Sequence, residues 1–295
     1  MENVLGLRDQ MDHIVYSTTR LVVEYDDESM GSGTGFYIRF TLPVGAPTPV
    51  LYALVTNKHV VERATRVSIV AQEARPDGEV RMPAGRWGWY PENPESDILA
   101  HNWIGHPDLE VDLCALPVGP EPSAELIDTI DSDLHRFFFL PIGDNLIPTQ
   151  DDLGNMRVVE HVMMPGYPND LWDETLGLPL IRHGTTASHP RLTFGGVGKG
   201  ALDIAAFPGS SGSPVLQYHP DVDYSVERHP PNHPLLLGVL SEGPQITADG
   251  KVQITAIPVK DLPDVQVLTP MHVAYYEKVQ HLPALRATVF NMLGI

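Results

Sequence analysis

A single cysteine, Cys114, is all that the 295-residue chain contains, so no intramolecular disulfide can form. Basic residues are also scarce: 19 Lys and Arg stand against 38 Asp and Glu, a formal net charge of -19. Attraction to phosphate needs a basic face, so binding to nucleic acid or an anionic membrane is disfavoured. Long apolar runs are missing, and no stretch approaches the unbroken length of a membrane-spanning helix. The start, Met1-Glu2-Asn3-Val4-Leu5, lacks the basic residues and apolar run of a secretory signal. Together these absences describe a chain expected to be cytoplasmic and reduced. Solubility alone accounts for the acidity.

What is present is ordinary globular material, 42% hydrophobic and 19% charged, with a high share of Pro (28) and Gly (25). That balance favours short strands and many turns over long helices. Residues 12–25 alternate loosely and read as a strand or a short helix. Strands are expected at Phe36 to Phe40, Leu51 to Thr56, Arg66 to Val70 and Val111 to Leu116, the last ending at Pro117. Residues 71–103, with Trp87, Trp89 and Trp103, read as a long decorated hairpin. Residues 119–156 read as a connection, with Phe137-Phe138-Phe139-Leu140 tucked against a core. A second run of strands covers Val158 to Met164, Leu180 to Ala187, Ala201 to Ala206, Pro214 to Gln217, Leu235 to Ser241 and Val252 to Val259. The tail, 265–295, has helical spacing at Val273, Tyr276 and Val279. Two successive all-β blocks, 1–118 and 157–264, predict paired barrels or sandwiches.

Chemistry concentrates in Phe207-Pro208-Gly209-Ser210-Ser211-Gly212-Ser213-Pro214. Gly209 permits a tight turn in which the amides of Gly209 and Ser211 point at one spot, while Gly212 removes bulk behind Ser211. Serine is a poor nucleophile until an oriented base takes its proton. A candidate base, His59, follows the apolar run Leu54-Val55-Thr56, and a candidate orienting acid, Asp112, precedes Leu113-Cys114-Ala115-Leu116. Asp108 and Glu110 are rivals for that role and read as solvated loop charges. Ser210 and Ser213 are rivals for the nucleophile, but Ser211 alone has Gly at both -2 and +1. Position 213 is Ser, so the loop fails the Gly-x-Ser-x-Gly elbow of α/β-hydrolases. Phe194-Gly195-Gly196-Val197-Gly198-Lys199-Gly200 lacks the Ser or Thr of a phosphate loop and reads as a turn. His229-Pro230-Pro231-Asn232-His233 reads as a Pro-rich loop, and Cys114 as a buried small residue.

The order His, Asp, Ser is that of the chymotrypsin arrangement. On these residues the chain resembles a trypsin-like serine peptidase of the chymotrypsin fold, nearest the disulfide-free HtrA/Deg proteases. Thr56-Asn57-Lys58-His59-Val60-Val61 is similar to that family's Thr-Asn-x-His-Val-Val, and Gly31-Ser32-Gly33-Thr34-Gly35 to its opening Gly-Ser-Gly-x-Gly. Val111-Asp112-Leu113-Cys114-Ala115-Leu116 resembles its Asp-Leu-Ala-Val-Leu strand. Pro165-Gly166-Tyr167-Pro168, Gly184-Thr185-Thr186-Ala187-Ser188 and Ile254-Thr255-Ala256-Ile257-Pro258 resemble segments of its second barrel.

The resemblance implies a double β-barrel with a short C-terminal helix, and a site in the cleft between barrels. His59, Asp112 and Ser211 would be the triad, with an oxyanion hole of Gly209 and Ser211 amides. Ser241, Glu242 and Gly243 would be the strand end that pairs with substrate, and Ala205 the base of the primary specificity pocket. Glu242 stands where digestive members carry Trp, which places a carboxylate near that strand. Ser210 replaces the aspartate that pairs with a freed N-terminus in zymogen-type members, and no activation peptide is apparent. The stretch after Leu262 is too short for a PDZ domain. The resemblance thus implies a peptide or protein substrate, no cofactor and no metal, and control by a regulatory partner rather than by cleavage. The alternative is a catalytically silent peptide-binding scaffold on the same fold.

Overall fold

The computed structural model describes residues 10–46, 48–70, 72–74, 80–81, 103–119, 136–196, 198–222, 233–251 and 264–295. Helix α1 (Gln10–Val15) leads into β1 (Thr18–Tyr25), so residues 12–25 hold a helix and then a strand. There follow β2 (Met30–Thr41), β3 (Val50–Thr56), the helical turn α2 (Lys58–Val61) and β4 (Ala64–Val70). Next come β5 (Gln72–Ala74), β6 (Val80–Arg81), β7 (Ile104–Gly105) and β8 (Cys114–Gly119), then β9 (Arg136–Phe138) and β10 (Ile142–Gly143). Strands β4-β1-β2-β3-β8-β7 form one sheet in that order, with β10 parallel to β2, and β6-β5-β9 form a small second one.

Period-2 alternation explains why these strands read as nearly unbroken apolar runs. Phe36, Ile38 and Phe40 of β2 face one core, and Tyr37 between them faces another. Likewise Leu51, Ala53 and Val55 of β3 face the first core while Leu54 faces the second. Both faces are dry, so both must be apolar. Phe139 stacks on Tyr37 with ring centroids 4.1 Å apart, which is the tucked contact expected of the connection. The expected strand Val111 to Leu116 is shifted: β8 begins at Cys114 and runs past Pro117 to Gly119. A register shift opposite Tyr52 and Ala53 absorbs one extra residue there, since Pro117 cannot donate to the ladder.

The second block starts with α3 (Gln150–Asn155), whose N-cap Thr149 forms a capping box with Asp152. Strands β11 (His161–Gly166), β12 (Leu180–Thr186), β13 (Lys199–Asp203), β14 (Pro214–Gln217) and β15 (Leu235–Glu242) follow, then the hairpin β16 (Gln245–Lys251) and β17 (Asp264–Pro270). Last come β18 (Ala274–Lys278) and helix α4 (Leu282–Leu293). A closed barrel forms in the order β11-β12-β13-β18-β15-β14. The fold is thus all-β with a short C-terminal helix, its second barrel closed and its first sheet open among the described residues.

The strand that closes this barrel overturns an expectation. Val273, Tyr276 and Val279 are spaced as on a helix, yet Ala274–Lys278 is a strand, so the barrel runs past residue 264. Only five residues separate two turns there, too few to tell a period of 2 from 3.6. The buried charges Glu277 and Lys278 hide the strand further, and Lys278 Nζ donates to Leu192 O at 2.7 Å. Pro283 starts the helix rather than breaking it, and Leu282, Leu285 and Val289 pack into the core shared with β2 and β3. The expectations for Trp87, Trp89, residues 252–259 and His229 lie outside the described residues. No described helix is long and apolar enough to cross a membrane.

Candidate active site

His59 stands on α2, immediately after β3, and the glycines of β2 explain how it can. A Cβ on Gly33 would lie 2.5 Å from Val60 Cγ1, and one on Gly35 would lie 2.8 Å from Leu54 Cδ1. The bare backbone of β2 therefore lets Val60, next to His59, pack flush on the sheet. Gly33→Ala is expected to cost about 1–3 kcal/mol of stability through overpacking and to slow turnover by displacing His59. Urea unfolding and initial rates on one peptide would check it, and a variant that matches the parent in both would refute it.

Asp112 meets His59 twice. The His59 backbone N–H donates to Oδ1 at 3.1 Å, and ring Nδ1–H donates to Oδ2 at 2.5 Å. An ionised carboxylate only accepts, so Nδ1 is the donor here, and in the neutral imidazole this leaves Nε2 as the acceptor. Asn57 Nδ2 donates to Asp112 O at 2.8 Å and fixes the acid from behind. The rivals are occupied elsewhere: Asp108 Oδ1 accepts from Glu110 N–H at 3.0 Å, and both residues are exposed. Cys114 is buried, and burial, then the nearby Asp112, push its thiol well up. Iodoacetamide is expected to spare Cys114 in the native protein and to alkylate it in urea, because the thiolate is the reactive form. Rapid native labelling would contradict this.

Ser211 lies on a loop of two successive turns. Ser210 N–H donates to Phe207 O at 3.0 Å, and Ser213 N–H donates to Ser210 O at 3.1 Å. The third residue of each turn is a glycine at positive φ, Gly209 at 85° and Gly212 at 90°. A type II turn needs this conformation, which is the reason for the Gly-x-x-Gly spacing. A Cβ on Gly212 would collide with Thr34 O, and one on Gly209 with Tyr167 O. Among the described residues no acceptor takes the N–H of Gly209 or of Ser211. The Ser211 hydroxyl donates to Ser241 O at 3.3 Å, and no hydrogen bond joins it to His59. Ser241 is the extra residue of a bulge where β15 pairs with β18, which turns its carbonyl out of the ladder.

A family model for the trypsin-like peptidase domain matches residues 33–222, most of the chain and all three of these side chains. The chain belongs to the trypsin-like peptidase family. Solved structures similar to this peptidase include the HtrA-type protease AlgW with a tripeptide, 15% identical, TM-score 0.46, covering 95% of this chain. The peptidase spans 61% of that AlgW chain. It is also similar to the protease Anisep from Arthrobacter nicotinovorans, 12% identical, TM-score 0.44, covering 94% of this chain and 96% of that one. The Rv3671c protease from M. tuberculosis, in its active form, is 13% identical with a TM-score of 0.45, covering 94% and 82%. No curated protein matches the chain.

A cavity of about 530 Å³ opens beside Ser211, lined by Arg20, Met30, Ser32, His59, Gly209 and Ser211 among others. Ala205, Ser241, Glu242 and Gly243 do not line it. Ala205 is buried with its carbonyl accepting from Arg182. Gly243 lies against Ala206, so close that a Cβ on it would stand 2.5 Å from Ala206 Cβ. The Glu242 carboxylate is not free, because Lys199 pairs with it. Sequence reading missed Lys199, and also Arg20, whose guanidinium holds Asp170 at 3.0 Å in the cavity wall. Burial pushes the Asp170 carboxyl up, but the Ser32 hydroxyl and Arg20 outweigh it and leave it below its ordinary value. The pair therefore persists above the ordinary carboxylate range and is lost only as pH falls through the lowered value.

Proposed function

We propose that this serine peptidase cleaves peptide bonds through a Ser211-His59-Asp112 triad and an acyl-enzyme. One observation carries the reading: Asp112 grips His59 at ring and backbone, while His59, Ser211 and Gly209 line one cavity. His59 Nε2 would take the Ser211 proton as Oγ attacks the carbonyl carbon. The resulting oxyanion would bind the unclaimed N–H groups of Gly209 and Ser211. Collapse breaks the C–N bond, and the proton passes from His59 to the leaving amine. Water then repeats the sequence on the ester and frees Ser211. In this reading the Ser211 hydroxyl would leave Ser241 O and turn to His59, a hydrogen bond that commonly tightens only with substrate bound.

A fluorophosphonate probe tests the assignment. It is expected to add one phosphonyl group to the chain, located on Ser211 by peptide mass spectrometry. Labelling that persists in Ser211→Ala would overturn it. Two observations favour a resting state that substrate or a regulatory partner opens: the Ser211 hydroxyl rests on Ser241, and Gly243 closes on Ala206. The cavity lining includes Ser211 but not Ser241, Glu242 or Gly243, which suits the segment on the leaving-group side of the cut. With one thiol and no internal disulfide, packing holds the fold, which suits a reducing cytoplasm.

A further inference from the structure

Oxyanion stabilisation demands that two N–H groups stay aimed at one point, and this inference, resting on the peptidase reading, concerns what aims them. Ser210 is 1% exposed, and its hydroxyl has no hydrogen-bond partner among the described residues. No charge holds the loop from that position. Instead each peptide plane of the loop is gripped separately. Asn169 N–H donates to Pro208 O at 2.6 Å, and the Thr34 hydroxyl donates to Gly209 O at 2.8 Å. Ser213 N–H holds Ser210 O, and Thr34 N–H donates to Ser211 O at 2.8 Å. A trans peptide is planar with C=O and N–H opposed. Gripping Pro208 O from one side therefore aims the Gly209 N–H to the other, and the Ser213 grip on Ser210 O does the same for Ser211. The Thr34 hydroxyl holds the Gly209–Ser210 plane that links these two, and so fixes their orientation relative to each other.

The two gripping residues are built for the task. Thr34 is fully buried on β2 and saturates every polar group it has. Its hydroxyl also accepts from Tyr167 N–H at 3.2 Å, and its carbonyl accepts from the Thr56 hydroxyl at 2.8 Å. Asn169 sits at φ 49°, followed by Asp170 at φ 60°. This left-handed region is rare for any residue but glycine and least costly for Asn and Asp. The first sheet braces that turn: Arg20 of β1 pairs with Asp170 and lies 6.0 Å from the Trp172 ring centre, and Tyr167 Oη donates to Thr18 O at 3.4 Å. We propose that Thr34 and Asn169 are positioning residues that keep the oxyanion hole open by neutral hydrogen bonds, in place of a buried ion pair at position 210.

The test measures kcat and KM on a fluorogenic peptide taken from cleavage mapping of a peptide mixture. Thr34→Val keeps the shape but leaves Gly209 O without its donor. It is expected to lower kcat about 10- to 100-fold with KM within about threefold, as befits a group that acts in the transition state. Thr34→Ser, which keeps the hydroxyl, is expected to recover most of the loss. Asn169→Val places a β-branched residue where φ is positive, on an exposed turn, and is expected to show the same split, while Asn169→Gly is expected to retain the rate. If Thr34→Val fails to fold by circular dichroism, the Asn169 pair decides. Parent-like kcat in Asn169→Val, or a change confined to KM, would overturn the proposal while fluorophosphonate labelling of Ser211 leaves the peptidase reading standing. A parent that neither labels nor hydrolyses would sink both.

Discussion

Ser211→Ala is expected to lower peptide hydrolysis by about a million-fold, leaving roughly 10³- to 10⁴-fold acceleration over water. The residue of activity would come from the Gly209 and Ser211 N–H groups and from binding, which the substitution leaves intact. In the proposed mechanism His59 and Asp112 act only through Ser211, so the double variant Ser211→Ala, His59→Ala is expected to lose no more than the single one. Initial rates on a fluorogenic peptide, with active-site titration of the parent, provide the comparison. Hydrolysis by Ser211→Ala within tenfold of the parent would show that another group attacks. The alanine is expected to fold like the parent, because the Ser211 hydroxyl makes one long bond, to Ser241 O at 3.3 Å.

Asp112→Asn should be nearly as damaging to turnover and nearly silent in stability. The carboxylate accepts two N–H groups of His59, one on each oxygen. An asparagine offers one oxygen and one NH₂, so one of those contacts becomes donor against donor. If the backbone N–H keeps the oxygen, the amide drives the imidazole proton to Nε2. The base then faces Ser211 with a hydrogen instead of a lone pair, and kcat is expected to fall about 10⁴-fold. His59 is 47% exposed at its side chain, and an exposed pair adds little to folding. The thermal midpoint should therefore move by a few degrees at most. A variant within tenfold of the parent in kcat would remove Asp112 from the mechanism.

How much of this was legible beforehand depended on whether the decisive interaction was local. The two turns around Ser211 follow from Gly209 and Gly212, since no other residue accepts φ near +90° without strain. The core faces of β2 and β3 follow from alternation, and the pairing of His59 with Asp112 was anticipated from their places beside two apolar strands. Substrate-side expectations travelled less well. Glu242 reads as a carboxylate beside the substrate strand and does end β15, but the sequence does not show that Lys199, 43 residues away, pairs with it. Ala205 reads as a pocket base; it is buried and lies outside the lining of the cavity beside Ser211. Charge pairing and pocket shape arise between strands, and spacing along one strand carries no record of them.

The sequence by itself determined the all-β character, the loop that presents Ser211 and the order of the three candidate side chains. Each depends on backbone freedom or on period-2 burial, properties that a few neighbouring residues specify. Only the tertiary structure decided which strand closes the second barrel, because Glu277 and Lys278 are charged yet buried and mask the pattern of β18. It alone decided what grips the loop. Thr34 and Gly209 are 175 residues apart, and the hydroxyl that joins them is one among many until the first sheet and the barrel fold against each other. A hydrogen bond needs its partner within about 3 Å and in line, and only the folded chain can place it there.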